Sequence, residues 1–332
     1  MKSVKILTVL FLLLILSIFS GDVHSENYGF KTFKIAFMPD IHLSFDKKDD
    51  WILYNESLII FQDTVKILNK TPDINFAVFG GDLTDNKNKT LDDLPIFLDI
   101  AAELKYPYYV IFGDRDADLS NDYSKQDFIA EFRRNGFKNN DKTYWIDEPI
   151  ENVLLIGLDT AIENRFSGLI SQEQLSWLED IIKNNQNKFI IILMHHSPLP
   201  SCSQDTEHPW KNFTLSNSED FLNIIKKYPQ PKLILSGHYH INFTKKINNN
   251  LFISTPSIVS YPNEFKILTI KTLSDKIEIN VENKQINFKQ IVKKAKKTIL
   301  NTDYAKQYES SKKLLKFQEG DKFSRMKKYY LD

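Results

Sequence analysis

The residues able to do chemistry in this chain gather in five short motifs: Asp40-Ile-His42, Gly80-Gly-Asp82, Gly113-Asp-Arg-Asp116, His195-His196 and Gly237-His-Tyr-His240. In an extended segment, side chains two apart point the same way, so Asp40 with His42, and His238 with His240, can each reach one ion. A lone Asp-x-His occurs by chance in many chains. Here five of the seven histidines fall in these motifs, each behind an apolar run, and five such coincidences of context argue against unrelated surface or core histidines. Mixed carboxylate and imidazole donors suit first-row ions, Fe, Mn, Zn and Ni among them, better than calcium or a thiolate-type structural zinc site.

Such motifs need elements to position them. Runs of Val, Ile, Phe and Tyr stop at each one: Lys34–Met38 before Asp40, Ile74–Phe79 before Gly80, Tyr108–Phe112 before Gly113, Phe189–Met194 before His195 and Lys232–Leu235 before Ser236. Val153–Leu158 stops in the same way at Asp159. Their length and bounding residues predict buried strands. Between them, Leu58, Phe61, Val65 and Leu68 recur at helical spacing over 55–70, and Ser171 with Gln174 predicts a capping box opening a helix with Leu175, Leu178 and Ile182 on its face. A third helix is predicted over 219–228. Further strands are predicted at 251–253, 265–270 and 276–281. Alternating strand and helix predicts an α/β domain over 30–285 with its polar groups beyond the strand ends. Residues 286–332 read as a basic helical tail.

The order of motifs resembles the calcineurin-like metallophosphoesterase superfamily over about residues 33–270. It is similar in particular to bacterial cyclic-nucleotide phosphodiesterase-like proteins, through Met194-His-His-Ser-Pro-Leu-Pro200, Leu235-Ser-Gly-His-Tyr-His240, and Ser254-Thr-Pro-Ser257 followed by Tyr261-Pro262 and Phe265. The resemblance implies a two-sheet β-sandwich flanked by helices. It implies two divalent or trivalent transition-metal ions, Fe, Mn or Zn, with Asp40, His42 and His240 on one, Asp114, His195 and His238 on the other, and Asp82 between them. Of the adjacent pair it selects His195 over His196. The implied activity is hydrolysis of a small-molecule phosphate ester, monoester or diester, by hydroxide formed on the ions. Purple acid phosphatases have a tyrosine ligand three residues after the bridging aspartate; Asp85 stands there instead.

The third motif departs from the family's Gly-Asn-His-Asp. Asp114 adds a negative charge that the neighbouring Arg115 offsets. The family histidine is held to protonate the leaving group, whereas a guanidinium with pKa above about 12 gives up no proton near neutrality. Arg115 is therefore read as a catalytic clamp on phosphoryl oxygens, with His196, His208 and Tyr239 as alternative proton donors. Asp116, also placed in the catalytic set, is expected to pair with Arg115. The competing function is a metal-binding scaffold with impaired catalysis that recognises a phosphorylated ligand or a protein partner.

Composition bounds the rest. With 43 basic and 43 acidic residues, no overall field favours nucleic acid. Residues 1–25 pair Lys2 and Lys5 with an uncharged apolar run and read as a signal peptide, giving an exported, periplasmic or secreted protein; an uncleaved membrane anchor is the alternative. Weak membrane association through that leader or the basic tail is a further expectation. The one cysteine, Cys202, forms no internal disulfide. The insertion 201–212, with Asp205, His208 and Trp210, either rims the pocket or is a plain surface loop.

Overall fold

A computed structural model describes residues 28–88, 92–118, 123–138, 142–201, 213–230, 232–302 and 310–332. The expected leader, Cys202, and the Asp205, His208 and Trp210 of the insertion lie outside the described residues. Twelve strands among the described residues form two six-stranded mixed sheets. The first holds β1 (Thr32–Met38), β2 (Phe76–Phe79), β3 (Tyr108–Val110), β10 (Glu264–Thr272), β11 (Ile277–Gln285) and β12 (Lys328–Leu331), in the order β12-β11-β10-β1-β2-β3. The second holds β4 (Trp145–Ile150), β5 (Val153–Gly157), β6 (Phe189–Leu193), β7 (Lys232–Ser236), β8 (Phe243–Ile247) and β9 (Asn250–Ser254), in the order β4-β5-β6-β7-β9-β8.

Strand alternation explains the layering. On β6, Phe189, Ile191 and Leu193 join Leu233, Leu235, Leu251 and Ile253 in a core shared with Ile35 and Phe37 of the first sheet. The intervening Ile190, Ile192, Ile234 and Phe252 face the other way, onto Leu175, Leu178 and Ile182 of helix Gln172–Asn184 and Phe221 and Ile225 of helix Ser218–Lys227. A strand buried on both faces reads as a continuous apolar run, which is why these strands are legible in sequence. The architecture is the α/β two-sheet sandwich that the resemblance implied.

Within each sheet the strands that precede site motifs run parallel. β1 pairs with β2 and β2 with β3, as β5, β6 and β7 pair in turn. Their carboxyl ends therefore come together at one end of the sandwich, where loops of an open α/β sheet meet their ligands.

Helix Ser57–Lys70 buries Phe61, Val65 and Leu68, while Leu58 is only partly buried. Ser171 Oγ accepts the amide of Gln174, as predicted, a cap worth about 1 kcal/mol. The Gln174 side chain does not return to Ser171; it reaches across to Asp159, accepting from its amide at 2.9 Å and donating to its carbonyl at 2.8 Å.

The tail differs from its helical reading. Helices Lys289–Leu300 and Ser311–Glu319 are present, but the chain ends in β12, which pairs antiparallel with β11 through Ile279↔Tyr329 and Ile277↔Leu331. Tyr329 and Leu331 are buried while Lys328 and Tyr330 are exposed, a period of two obscured by the flanking lysines. No helix of the described residues is long and apolar enough to cross a membrane.

Candidate metal centre

The motif loops are stitched together by backbone hydrogen bonds. Asp40 N donates to Gly81 O and His42 N to Asp82 O, both at 2.9 Å, while Gly237 N donates to His195 O at 3.0 Å. Asp40, His42, Asp82, His238 and His240 all have positive φ, between 44° and 64°. For residues with a Cβ this left-handed backbone costs of order 1 kcal/mol each, so five of the seven predicted ligands sit where the fold, and not local preference, holds them. Glycine is required where these turns close on one another. A Cβ on Gly113 would lie 2.1 Å from Asp82 Oδ1, and one on Gly81, itself at φ 88°, would lie 2.7 Å from His195 Nδ1.

The seven residues converge as two buried groups. Asp40, His42 and His240 form one; Asp82, Asp114, His195 and His238 form the other, and within each the offered donor atoms lie within 4.8 Å of one another. Each group takes its carboxylates from the first sheet's loops and at least one imidazole from the second's, with His42 the one imidazole that comes from the first. Asp82 lies between them: Oδ2 is 3.5 Å from His42 Nε2 and Oδ1 is 3.5 Å from His195 Nε2.

Whether these residues fit metal ions is tested by what holds the imidazoles. His42 Nδ1 lies 3.2 Å from Asp85 Oδ2, His195 Nδ1 2.8 Å from Gly80 O, and His240 Nδ1 2.9 Å from Ser260 Oγ. Each outer nitrogen is thus engaged, for His42 and His195 by a pure acceptor that fixes the proton on Nδ1. Their Nε2 lone pairs then face inward, the arrangement of metal-ligating histidines. His42 Nε2 and His240 Nε2 approach to 3.2 Å, and His195 Nε2 lies 3.2 Å from Asp114 Oδ1, which is 2.9 Å from His238 Nδ1. The donor set fits two cations.

The electrostatics agree. Burial opposes charge on His195, but Asp82, Asp114 and Asp40 outweigh it and hold its pKa well above the usual imidazole range. Burial likewise opposes charge on His42, and the hydrogen bond to Asp85 with the charge of Asp82 raises it. Asp114 is driven low, against burial, by His238; Asp40 is also lowered against burial, by His240 first and by His195 and His42, although burial holds His240 itself below the usual imidazole range. Carboxylates that hold a proton on buried imidazoles will hold a metal cation in its place.

His196 is not part of either group. Burial and the neighbouring His238 depress its pKa well below the usual range. Its Nδ1 accepts from Thr160 Oγ1 at 2.8 Å and its Nε2–H donates to Phe166 O at 3.2 Å, so it is engaged as a fastener of the 160–168 loop. Tyr239 packs between Phe213 and Phe317 at 5.0 and 5.4 Å.

Arg115 stands at the mouth, its side chain 29% exposed, with Nε 3.7 Å from both Asp85 Oδ2 and Asp114 Oδ2. Its guanidinium carbon lies 5.0 Å from the centroid of Phe166, whose ring braces it. The expected Arg115–Asp116 pair is not what forms. Asp116 turns inward: Oδ2 accepts from Asp82 N at 2.7 Å and Gly113 N at 2.9 Å, and Oδ1 from Leu83 N at 3.0 Å. Three backbone donors outbid one guanidinium because they are fixed by the turn and already dry. Burial and the Asp82 carboxylate push the Asp116 carboxyl up to about 7, against those donors. Asp116 thereby shapes the left-handed turn at Asp82.

Asp85 is the residue that sequence reasoning passed over. In sequence it stands out only as the absence of a tyrosine ligand. Its buried carboxylate accepts from Tyr54 Oη at 2.9 Å, meets His42 Nδ1, and is paired with Lys47 and Arg115. Burial notwithstanding, His42, Arg115 and Lys47 keep it ionised far below the usual carboxylate range. Ser260, behind His240, was missed too; only its place in the run 254–265 hinted at it.

Residues 33–242 match the family model of calcineurin-like phosphoesterases. The chain is 27% identical over 201 residues to a probable glycerophosphodiester phosphodiesterase of Arcobacter nitrofigilis, covering 60% of this chain and 68% of that one. It is 26% identical over 227 residues to a 3',5'-cyclic-nucleotide phosphodiesterase of Nostoc, covering 67% and 77%. Among solved structures, a dimetal phosphatase from Danio rerio superposes with a TM-score of 0.58 over 77% of this chain and 99% of that one, at 14% identity, a likeness of fold.

Proposed function

Because this chain belongs to the calcineurin-like phosphoesterase family, we propose that it hydrolyses small phosphodiesters at a binuclear transition-metal centre built from the two buried groups. The observation that carries this is the inward convergence of the Nε2 atoms of His42, His195 and His240 on carboxylates that belong to both groups. The preference for diesters is supported by relatives named for glycerophosphodiester and cyclic-nucleotide hydrolysis. When bound, the two ions supply Lewis acidity toward phosphoryl oxygens and acidify a water toward neutral pH. The chain's own residues do the rest. Asp85, Gly80 and Ser260 orient the imidazoles, Asp116 holds the Asp82 turn, and Arg115, kept charged and braced by Phe166, is placed to hold a phosphoryl oxygen at the mouth. The apolar leader supports export as the destination.

The test is metal-loaded protein assayed on bis-aryl and aryl phosphates beside Asp82→Asn. Wild-type turnover, falling at least about a hundredfold in the variant, is expected; equal inactivity of the two across Mn, Fe and Zn sinks the reading. A second reading, a scaffold that binds metal and a phosphorylated ligand without turnover, is favoured by one observation. The position of the family's proton donor carries Arg115, and of the alternative donors within the described residues His196 has both ring nitrogens engaged.

A further inference from the structure

The tail beyond residue 286 lies outside the stretch matched by the family model, yet its helices pack on the loops that carry the metal-binding histidines. Ile299 and Leu314, one from each tail helix and both fully buried, share a cluster with Leu53 and Tyr261 of the body. Two chains of rings lead from it to the Gly-His-x-His motif. On one side Trp51, packed on the same cluster, lies on the imidazole of His240 at 4.6 Å. On the other, Phe317 of the second tail helix meets Tyr239 at 5.4 Å, Tyr239 meets Phe213 at 5.0 Å, and Phe213 meets His238 at 5.5 Å.

Polar ties run in parallel. Lys294 Nζ donates to Asp49 and to Glu56, each at 2.6 Å, clasping both ends of the segment that bears Trp51. Asn242 N, two residues past His240, donates to Gln318 O of the second tail helix at 3.0 Å. His238 shows why packing matters here. Its Nδ1 faces Asp114 Oδ1 at 2.9 Å, but its buried Nε2 has no hydrogen-bond partner among the described residues, so on its outer side this ring lacks the hydrogen bond that fixes His42, His195 and His240 and is held by packing, with His196 at 4.3 Å and Phe213 at 5.5 Å.

We infer that the tail helices Lys289–Leu300 and Ser311–Glu319 are a positioning device for the metal centre, holding Trp51 against His240 and the Tyr239–Phe213 pair against His238, so that loosening the tail weakens metal binding although no described tail residue belongs to either ligand group. This rests on the two-metal reading above. A ring free to rock loses the pre-alignment of its donor atom, and lost support of a ligand typically costs ten- to a hundredfold in metal affinity.

The test titrates Mn²⁺ alone into the metal-stripped full-length chain by calorimetry, with far-UV circular dichroism as the check on folding. Phe317→Ala and Lys294→Ala should each weaken Mn²⁺ binding about tenfold while the dichroism stays that of wild type, and Phe317→Tyr should restore the affinity. Leu331→Ala, in the tail strand and apart from these rings, should lower the melting temperature and leave Mn²⁺ affinity as in wild type. Unchanged affinity in both helix variants, or an equal loss in Leu331→Ala, overturns the inference alone. Absence of Mn²⁺ binding in the wild type overturns the two-metal reading and this inference with it.

Discussion

His42 and His240 present their Nε2 atoms to each other at 3.2 Å, although they lie 198 residues apart in sequence. Two inward lone pairs at that separation repel unless a proton or a cation lies between them. The outer partners, Asp85 for His42 and Ser260 for His240, keep the rings from turning away.

Asp85→Asn is expected to weaken metal binding by ten- to a hundredfold, since an amide neither fixes the His42 tautomer as firmly nor raises its basicity. It also removes the anion shared by Lys47 and Arg115. Calorimetric titration with Mn²⁺ reads the loss, and an affinity within twofold of wild type would show that Asp85 is only packing.

On this proposal Arg115 should govern the leaving-group dependence. Arg115→Ala should lower kcat/KM by roughly a hundredfold, the usual cost of a lost charge-stabilising donor. Wild type should favour aryl over alkyl esters, because a guanidinium does not protonate an alkoxide near neutral pH. Arg115→His should narrow that preference, so a series of esters graded by leaving-group pKa decides the matter by slope.

Buried Lys266 predicts an alkaline gain in stability. Its Nζ donates to Asn242 Oδ1 at 2.6 Å and Asn283 Oδ1 at 2.8 Å. Burial brings its pKa down to about 7, against the pull of Glu264. The unfolded chain keeps this proton to about pH 10.5, so from about pH 7 to 10.5 the unfolded state binds more protons and stability rises with pH. One group contributes at most about 1.4 kcal/mol per pH unit, and below about pH 7 the slope disappears because both states are protonated. Urea melts of Lys266→Met between pH 7 and 9 should lack this increment; identical slopes in the two proteins would refute it.

Chelation should destabilise the fold. At an ion concentration a hundred times Kd, binding at one site adds about 2.7 kcal/mol, which for a chain of this size is a fall of roughly 4 °C in Tm on adding EDTA. Differential scanning fluorimetry across a Mn²⁺ series checks it, and a Tm independent of Mn²⁺ would count against a site formed by folding.

Much of this site was legible because each ligand follows a mostly buried, apolar strand. Phe189–Leu193 is apolar throughout, as an interior strand is, and His195, two residues past its end, inherits a fixed place. What escaped had no such signal. β4 and β8 lie at sheet edges with mixed burial, and β12 is four residues among lysines. Asp85 and Trp51 act through partners distant in sequence, at His42 and His240, and no local pattern marks that. Asp116 was visible, but its true partners are backbone amides, which sequence does not display.

Both ligand groups draw their carboxylates from loops of the first sheet and, His42 apart, their imidazoles from loops of the second, so each group spans the two sheets. An ion seated there is a rivet through the sandwich, and it departs only when loops of one layer release it. The rate of metal exchange therefore belongs to the joint between the sheets and not to any single loop, and substitutions in the shared core, at Ile35 or Leu235 for example, should quicken it without touching a ligand.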